Sequence, residues 1–252
     1  MSKRRPPARA RVPRLQRRQL TALGIGAAVF VGLAILYALL RQSAAPPALV
    51  TSLATPQSWP RLLSDAFDEP AYAWQVGQFD DASAGGRLSV RGGKYLWEVQ
   101  AHNSLVWWSL PDSSQSVGDF YAAVEARQIS GTVNADLGLV FHWADEDYYY
   151  FQISPATQKF ALNLYANGAW TPLVDWTASA EVKPVGEVNQ LAVTAEGAQI
   201  TLYLNGQRVG QAANARVPQG AVGVAAQLYY GDEAATFDFD NFEWRAPALT
   251  SP

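Results

Sequence analysis

From Phe120 onward, hydrophobic and polar residues alternate in short runs, the two-residue period of a strand with one buried face. In DFYAAVEAR the inward set is Phe120, Ala122, Val124 and Ala126, leaving Tyr121, Ala123, Glu125 and Arg127 on the other face. LGLVFHW sends Leu137, Leu139, Phe141 and Trp143 inward, DYYYFQIS sends Tyr149, Phe151 and Ile153, and KFALNLY sends Phe160, Leu162 and Leu164. The design continues through Leu191 and Val193, Ile200, Leu202 and Leu204, Val222 and Val224, and Phe237 and Phe239. Between such runs stand Asn167-Gly168 and Asn205-Gly206. These dipeptides adopt positive φ at both central positions of a tight type I′ hairpin turn. No amphipathic helical pattern competes here, and no internal repeat suggests a propeller or solenoid. The pattern predicts an all-β fold, about a dozen short strands in two antiparallel sheets packed face to face.

One segment breaks the alternation. Leu20 to Leu40, LTALGIGAAVFVGLAILYALL, carries no charge over 21 residues. As a helix it is about 32 Å long, the thickness of a bilayer core, so one transmembrane helix is expected to precede the sandwich. Its upstream flank, residues 1–19, is basic and acid-free, which the positive-inside rule keeps in the cytoplasm. The expected topology is a cell-membrane, single-pass anchor with the C-terminal domain extracytoplasmic. A cleaved signal peptide is the alternative, but the apolar run is longer than an ordinary signal core and Pro46 follows the best small-residue site, Ser43-Ala44-Ala45. Gly24, Ala28 and Gly32 form a small-residue stripe on which two such helices could dimerise. Residues 41–60, rich in Ala, Pro and Ser, read as a stalk. The sandwich is expected over 61–246 and a short tail over 247–252.

Charge sharpens this division. The first 41 residues hold nine of the 19 basic residues and no acidic one, whereas residues 42–252 hold ten basic and all 22 acidic residues. A domain so acidic repels phosphate backbones, which excludes nucleic acid as a partner. Without cysteine there is neither a disulfide nor a thiol nucleophile, and two histidines cannot make a His-rich metal site. The lack of cysteine and of any Asn-x-Ser/Thr acceptor suits a bacterial envelope.

The ordered series DAFDEP, GDFYAAVEAR, GLVFHWADEDYYYFQIS, KFALNLYANGAWTPLVDW, NQLAVTAEGAQITLYLNGQRV, GAVGVAA and FDFDNFEW resembles the concanavalin A-like lectin/glucanase jelly rolls. The nearest likenesses are laminin G-like and 3-keto-disaccharide hydrolase-like domains of bacterial surface proteins. The resemblance covers residues 60–246 and implies a jelly-roll sandwich. It does not imply one activity, since that superfamily holds glycosidases, lectins and interaction modules.

Three constellations are candidates for chemistry. Retaining glycosidases of this superfamily set carboxylates on alternate residues of one strand, and no complete run of that kind occurs here. Asp238 and Asp240 share a strand face, but the next position of that parity is Phe242. Asp145, Glu146 and Asp147 sit in a predicted turn, and Asn134-Ala135-Asp136 stands where the hydrolase-like relatives carry Asn-Ser-Gly, so no catalytic residue is assigned. Asp65, or Asp68, with Asp240 matches the arrangement in which jelly-roll modules hold a structural Ca²⁺ between first and last strands. The competing reading has Asp240 and Asn241 bonding neighbouring backbone. No cofactor is otherwise required.

The third constellation is aromatic. If the strands around 137–143, 148–154 and 159–165 form a meander, the face turned from the core presents His142, Tyr148, Tyr150, Gln152, Asn163 and Tyr165 together. Rings flanked by amides suit sugars, whose C–H faces stack while their hydroxyls need fixed partners. Trp107 and Trp108 must point to opposite faces, so one is available, while Trp74, Trp143, Trp170, Trp176 and Trp244 are expected at the core and the sheet edges. The expected function is a lectin-like binding module for carbohydrate or another surface polymer. The alternatives are a protein-interaction domain using the same face and a glycan-active hydrolase.

Overall fold

Asn167 and Gly168, at φ 50° and 73°, and Asn205 and Gly206, at 50° and 81°, turn the chain as the two Asn-Gly dipeptides predict. The computed structural model describes residues 56–69, 74–113 and 115–248. The basic tail, the Leu20–Leu40 span and residues 41–55 of the stalk lie outside the described residues. Among those described, no helix is long and apolar enough to cross a membrane.

In chain order the strands are β1 (Arg61–Asp65), β2 (Gly77–Asp80), β3 (Ala84–Val90), β4 (Tyr95–Ala101), β5 (Leu105–Ser109), β6 (Phe120–Gly131), β7 (Ala135–Ala144) and β8 (Asp147–Ser154). They continue with β9 (Lys159–Ala166), β10 (Ala169–Ala178), β11 (Asn189–Glu196), β12 (Gln199–Leu204), β13 (Gln207–Ala213), β14 (Ala221–Leu228) and β15 (Ala234–Arg245). One sheet runs β13, β12, β11, β6, β15, β4, β3, β2, with β1 paired to the far end of β15. The other runs β10, β9, β8, β7, β14, β5. Every described pairing is antiparallel, and the two sheets enclose one apolar core. This is the two-sheet sandwich that the alternation predicts.

The inward sets fill that core. Phe120, Leu139, Phe141, Tyr149, Phe151, Phe237 and Phe239 are fully buried, each side chain contributing about 1.5–3 kcal/mol by leaving water. Two bulges break the period where the pattern alone does not reveal it. At His142, φ is 50° and the register with β8 shifts between Phe141 and Ala144. The extra residue turns His142 toward Phe120, Phe141 and Tyr149 and moves Trp143 to the opposite face, reversing both expectations. At Asn241, φ is 48° and the register shifts between Asp240 and Glu243, so Phe242 and Trp244 are inward.

The second bulge settles the reading of FDFDNFEW. Asp238 takes a two-pronged contact from Arg127, Asp240 pairs with Lys94, and Glu243 pairs with Arg245 and Arg61. These acids form an ion-paired outer surface on the last strand rather than a shared site.

Candidate functional site

Register places the meander residues on the outer face of the six-stranded sheet, as expected. Tyr150 lies between Val140 and Asn163, Gln152 between Gly138 and Ala161, and Tyr148 beside Tyr165. His142 is not among them. Its Nδ1 lies 2.8 Å from the Val217 carbonyl and its Nε2 2.8 Å from the Gly118 carbonyl, on the core side. Burial lowers its pKa against those two carbonyls, which act to raise it.

The expected open platform is corrected. Tyr150 is 0% exposed, and Tyr148 and Gln152 are buried too. Only Asn163 and Tyr165 are part-exposed. Tyr148 and Tyr150 form a second apolar cluster with Val140 and Ala225, walled by Trp108, Leu110, Trp143 and Tyr165. The reason is size and spacing: large rings on neighbouring strands of one face cover each other as effectively as a second sheet covers them. Desolvation pushes the pKa values of Tyr148 and Tyr150 upward.

Four rings cross this face in contact. Trp108 lies 5.5 Å from Tyr148, Tyr148 lies 5.3 Å from Tyr165, and Tyr165 lies 5.0 Å from Trp170, centroid to centroid. Trp108 stands on the edge strand β5 and Trp170, 43% exposed, on the opposite edge strand β10. Trp107, of the other parity, packs on Phe79 at 4.3 Å on the core side. The line therefore ends in tryptophans available to a ligand, with buried Tyr148 and part-exposed Tyr165 between them.

A polar cluster occupies the same face further along β7. Asp136 is 2% exposed, accepts a 2.5 Å hydrogen bond from the Tyr229 hydroxyl and a second from Ser154. Its burial pushes its carboxyl up to about 7, against those two hydrogen bonds. Close by, the Tyr150 hydroxyl and the Gln152 Oε1 are buried with no partner among the described residues. Asp136 shares parity with Gly138 and Val140, so the alternation puts it on this face; nothing local announces Tyr229, 93 residues later.

The proposed calcium pair is not brought together. Asp65 is buried, accepting from the Phe67 backbone N–H at 2.8 Å and from Trp74 Nε1 at 2.9 Å. Asp240 faces the outer surface, taking Lys94 and the Asn241 N–H, which is the backbone-bonding reading, and Asp68 is exposed. Among the described residues no three His, Cys, Asp or Glu side chains are placed to hold a metal ion. Chelation should therefore leave the melting temperature unchanged in differential scanning calorimetry; a fall of several degrees would restore an ion to this end of the sandwich.

An open depression of about 810 Å³ lies elsewhere, on the outer side of the nine-stranded sheet. Its floor is Gly85, Gly86 and Gly131, with Asp80, Glu98 and His102 at its sides and Phe79 as its one phenyl ring. It has no line of rings.

With the geometry in place, comparison with known proteins identifies the fold. A family model described as the concanavalin A-like lectin/glucanases superfamily matches residues 107–250, more than half of the chain. The chain belongs to that superfamily. Among solved structures, the catalytic domain of an endo-1,3-beta-glucanase (laminarinase) from Thermotoga petrophila aligns at a TM-score of 0.52 and 10% identity, over 75% of this chain and 98% of that one. The beta-glucanase of Bacillus licheniformis aligns at 0.51 and 13% identity, over 74% and 98%. A carbohydrate-binding module from Bacillus subtilis aligns at 0.48 and 18% identity, over 69% and 96%. Such identities show a shared fold alone. No curated protein matches the chain.

Proposed function

We propose that this concanavalin A-like chain is a membrane-anchored, extracytoplasmic binding module that engages carbohydrate or another surface polymer without turning it over. The observation that carries the reading is the line Trp108, Tyr148, Tyr165 and Trp170 across the outer face of the six-stranded sheet, with a tryptophan at each edge. Indole faces stack on sugar C–H faces, and the part-exposed Asn163 beside them supplies amide donors and acceptors. Anchoring and export rest on the uncharged Leu20–Leu40 run and its basic flank.

Binding is favoured over hydrolysis by the carboxylates. Glycoside hydrolysis takes two carboxyl groups about 5–10 Å apart, one acid and one base or nucleophile. Asp136 has the raised pKa of an acid, but the groups that act on it are Tyr229 and Ser154, not a second carboxylate. Asp238 and Asp240 are tied to Arg127 and Lys94 on the other sheet.

A glycan array tests the reading, with turnover assays on every hit. Trp170→Ala should weaken binding of a hit about tenfold, the loss of one stacking contact near 1 kcal/mol, and leave the melting temperature unchanged. An array without hits, together with capture of a protein along the edge strand β10, would move the reading to a protein-interaction domain. Release of reducing ends from a hit would move it to a hydrolase.

A further inference from the structure

Two cavities flank Trp108 at the β5 end of the ring line, sharing that residue and Gln75. One, of about 490 Å³, has Trp107 and Trp108 as its indole walls, with Asp81 and Ser83 at its side. The other, of about 410 Å³, is walled by Trp74, Trp108 and Trp143, with Asp112. Each holds one carboxylate, and no lysine or arginine is among the described residues around either. The indole Nε1 groups of Trp107 and Trp143 are buried without a partner among the described residues. Asp81 accepts from the Ser83 and Ala84 backbone N–H groups through Oδ1, at 2.7 and 3.1 Å, which holds its pKa below the usual carboxylate range. Its Oδ2 is not used in those bonds.

Indole walls and a fixed negative charge, with no lysine or arginine among the described residues of the lining, are what a cation selects. The ring faces attract positive charge through their quadrupole, and the carboxylate completes the attraction. The long-range field agrees, since residues 42–252 carry 22 acidic against ten basic side chains and draw cationic ligands inward. We propose that the two cavities flanking Trp108 bind a saccharide carrying protonated amino groups, one charged ring on each side of the shared indole. This rests on the carbohydrate-binding reading above and names its ligand class, an amino sugar polymer.

The probes are a short β-1,4-linked glucosamine oligomer and its fully N-acetylated counterpart, titrated calorimetrically into the full chain at a pH that keeps the free amines charged. The free-amine oligomer should bind about tenfold or more tighter, and the difference should shrink as salt is raised. In the double variant Asp81→Asn/Asp112→Asn the two affinities should converge, through loss of the free-amine oligomer's advantage. Asparagine keeps an oxygen for the Ser83 and Ala84 N–H groups, so the melting temperature should hold. Trp108→Ala should weaken both oligomers. Equal affinities in the wild-type chain, or a difference that survives the double variant, overturns amine recognition. Binding of the acetylated oligomer in that case leaves the carbohydrate reading standing, whereas no binding here and none on the array removes both.

Discussion

Tyr150→Ala should destabilise the folded domain by about 3–5 kcal/mol, as much as Phe151→Ala one residue later on the opposite face. An ordinary half-buried strand would give a contrast, with the outward residue nearly silent. Here both rings are fully buried, Phe151 between the sheets and Tyr150 among Val140, Tyr148 and Ala225 on the outer side. Each truncation therefore loses the same burial and leaves the same kind of cavity. Tyr150→Phe should behave differently. Its hydroxyl is buried with no partner among the described residues, so removing it lifts a desolvation penalty of about 1–3 kcal/mol rather than breaking a bond. Urea unfolding at neutral pH separates the cases, with Tyr150→Phe at or above the wild-type midpoint. A Tyr150→Ala midpoint within experimental error of the wild type would mean that the outer face is an open surface after all.

Much of this architecture is legible in the chain. The alternation through LGLVFHW, DYYYFQIS and KFALNLY assigns Leu139, Phe151 and Leu162 to one face and Tyr150 and Asn163 to the other, and the pairings Leu139 with Phe151 and Phe151 with Leu162 realise it. The two Asn-Gly turns are legible because their positive φ angles are paid by residue type alone. What is not legible has two physical causes. A bulge inserts one residue without changing composition, so His142 and Trp143 exchange faces and Phe242 joins the core with no local sign. Outward parity also does not mean exposure. Whether Tyr148 meets water depends on Trp108 and Tyr165, one of them from a strand 40 residues earlier that does not pair with β8. The Asp136 and Tyr229 contact fails for the same reason, since only the assembled sheet places β14 beside β7.

That contact carries the second large effect, on stability against pH. Asp136 has its pKa raised by burial from the ordinary 3.8 to about 7. The folded state therefore binds its proton more tightly than the unfolded chain does. Its contribution is fully present below about pH 4 and is lost as pH rises through about 7, on the order of a few kcal/mol in all. His142 works in the opposite sense, because burial lowers its pKa below 6.5. Its contribution is present above about pH 6.5 and is lost as pH falls through the lowered value, so it opposes Asp136 only on the acid side. Asp136→Asn keeps an oxygen to accept from Tyr229 but carries no charge. At pH 8 the variant should melt several degrees above the wild type, since a domain of this size gains about 2–4 °C per kcal/mol. By about pH 4 the two should nearly coincide, because Asp136 is then protonated in the folded and unfolded chain alike and as neutral as asparagine. The variant's own profile should fall on acidification, with His142 no longer offset. Parallel profiles from pH 5 to pH 8 would show that Asp136 is already ionised in the folded protein, and the buried acid beside Tyr229 would have to be given up.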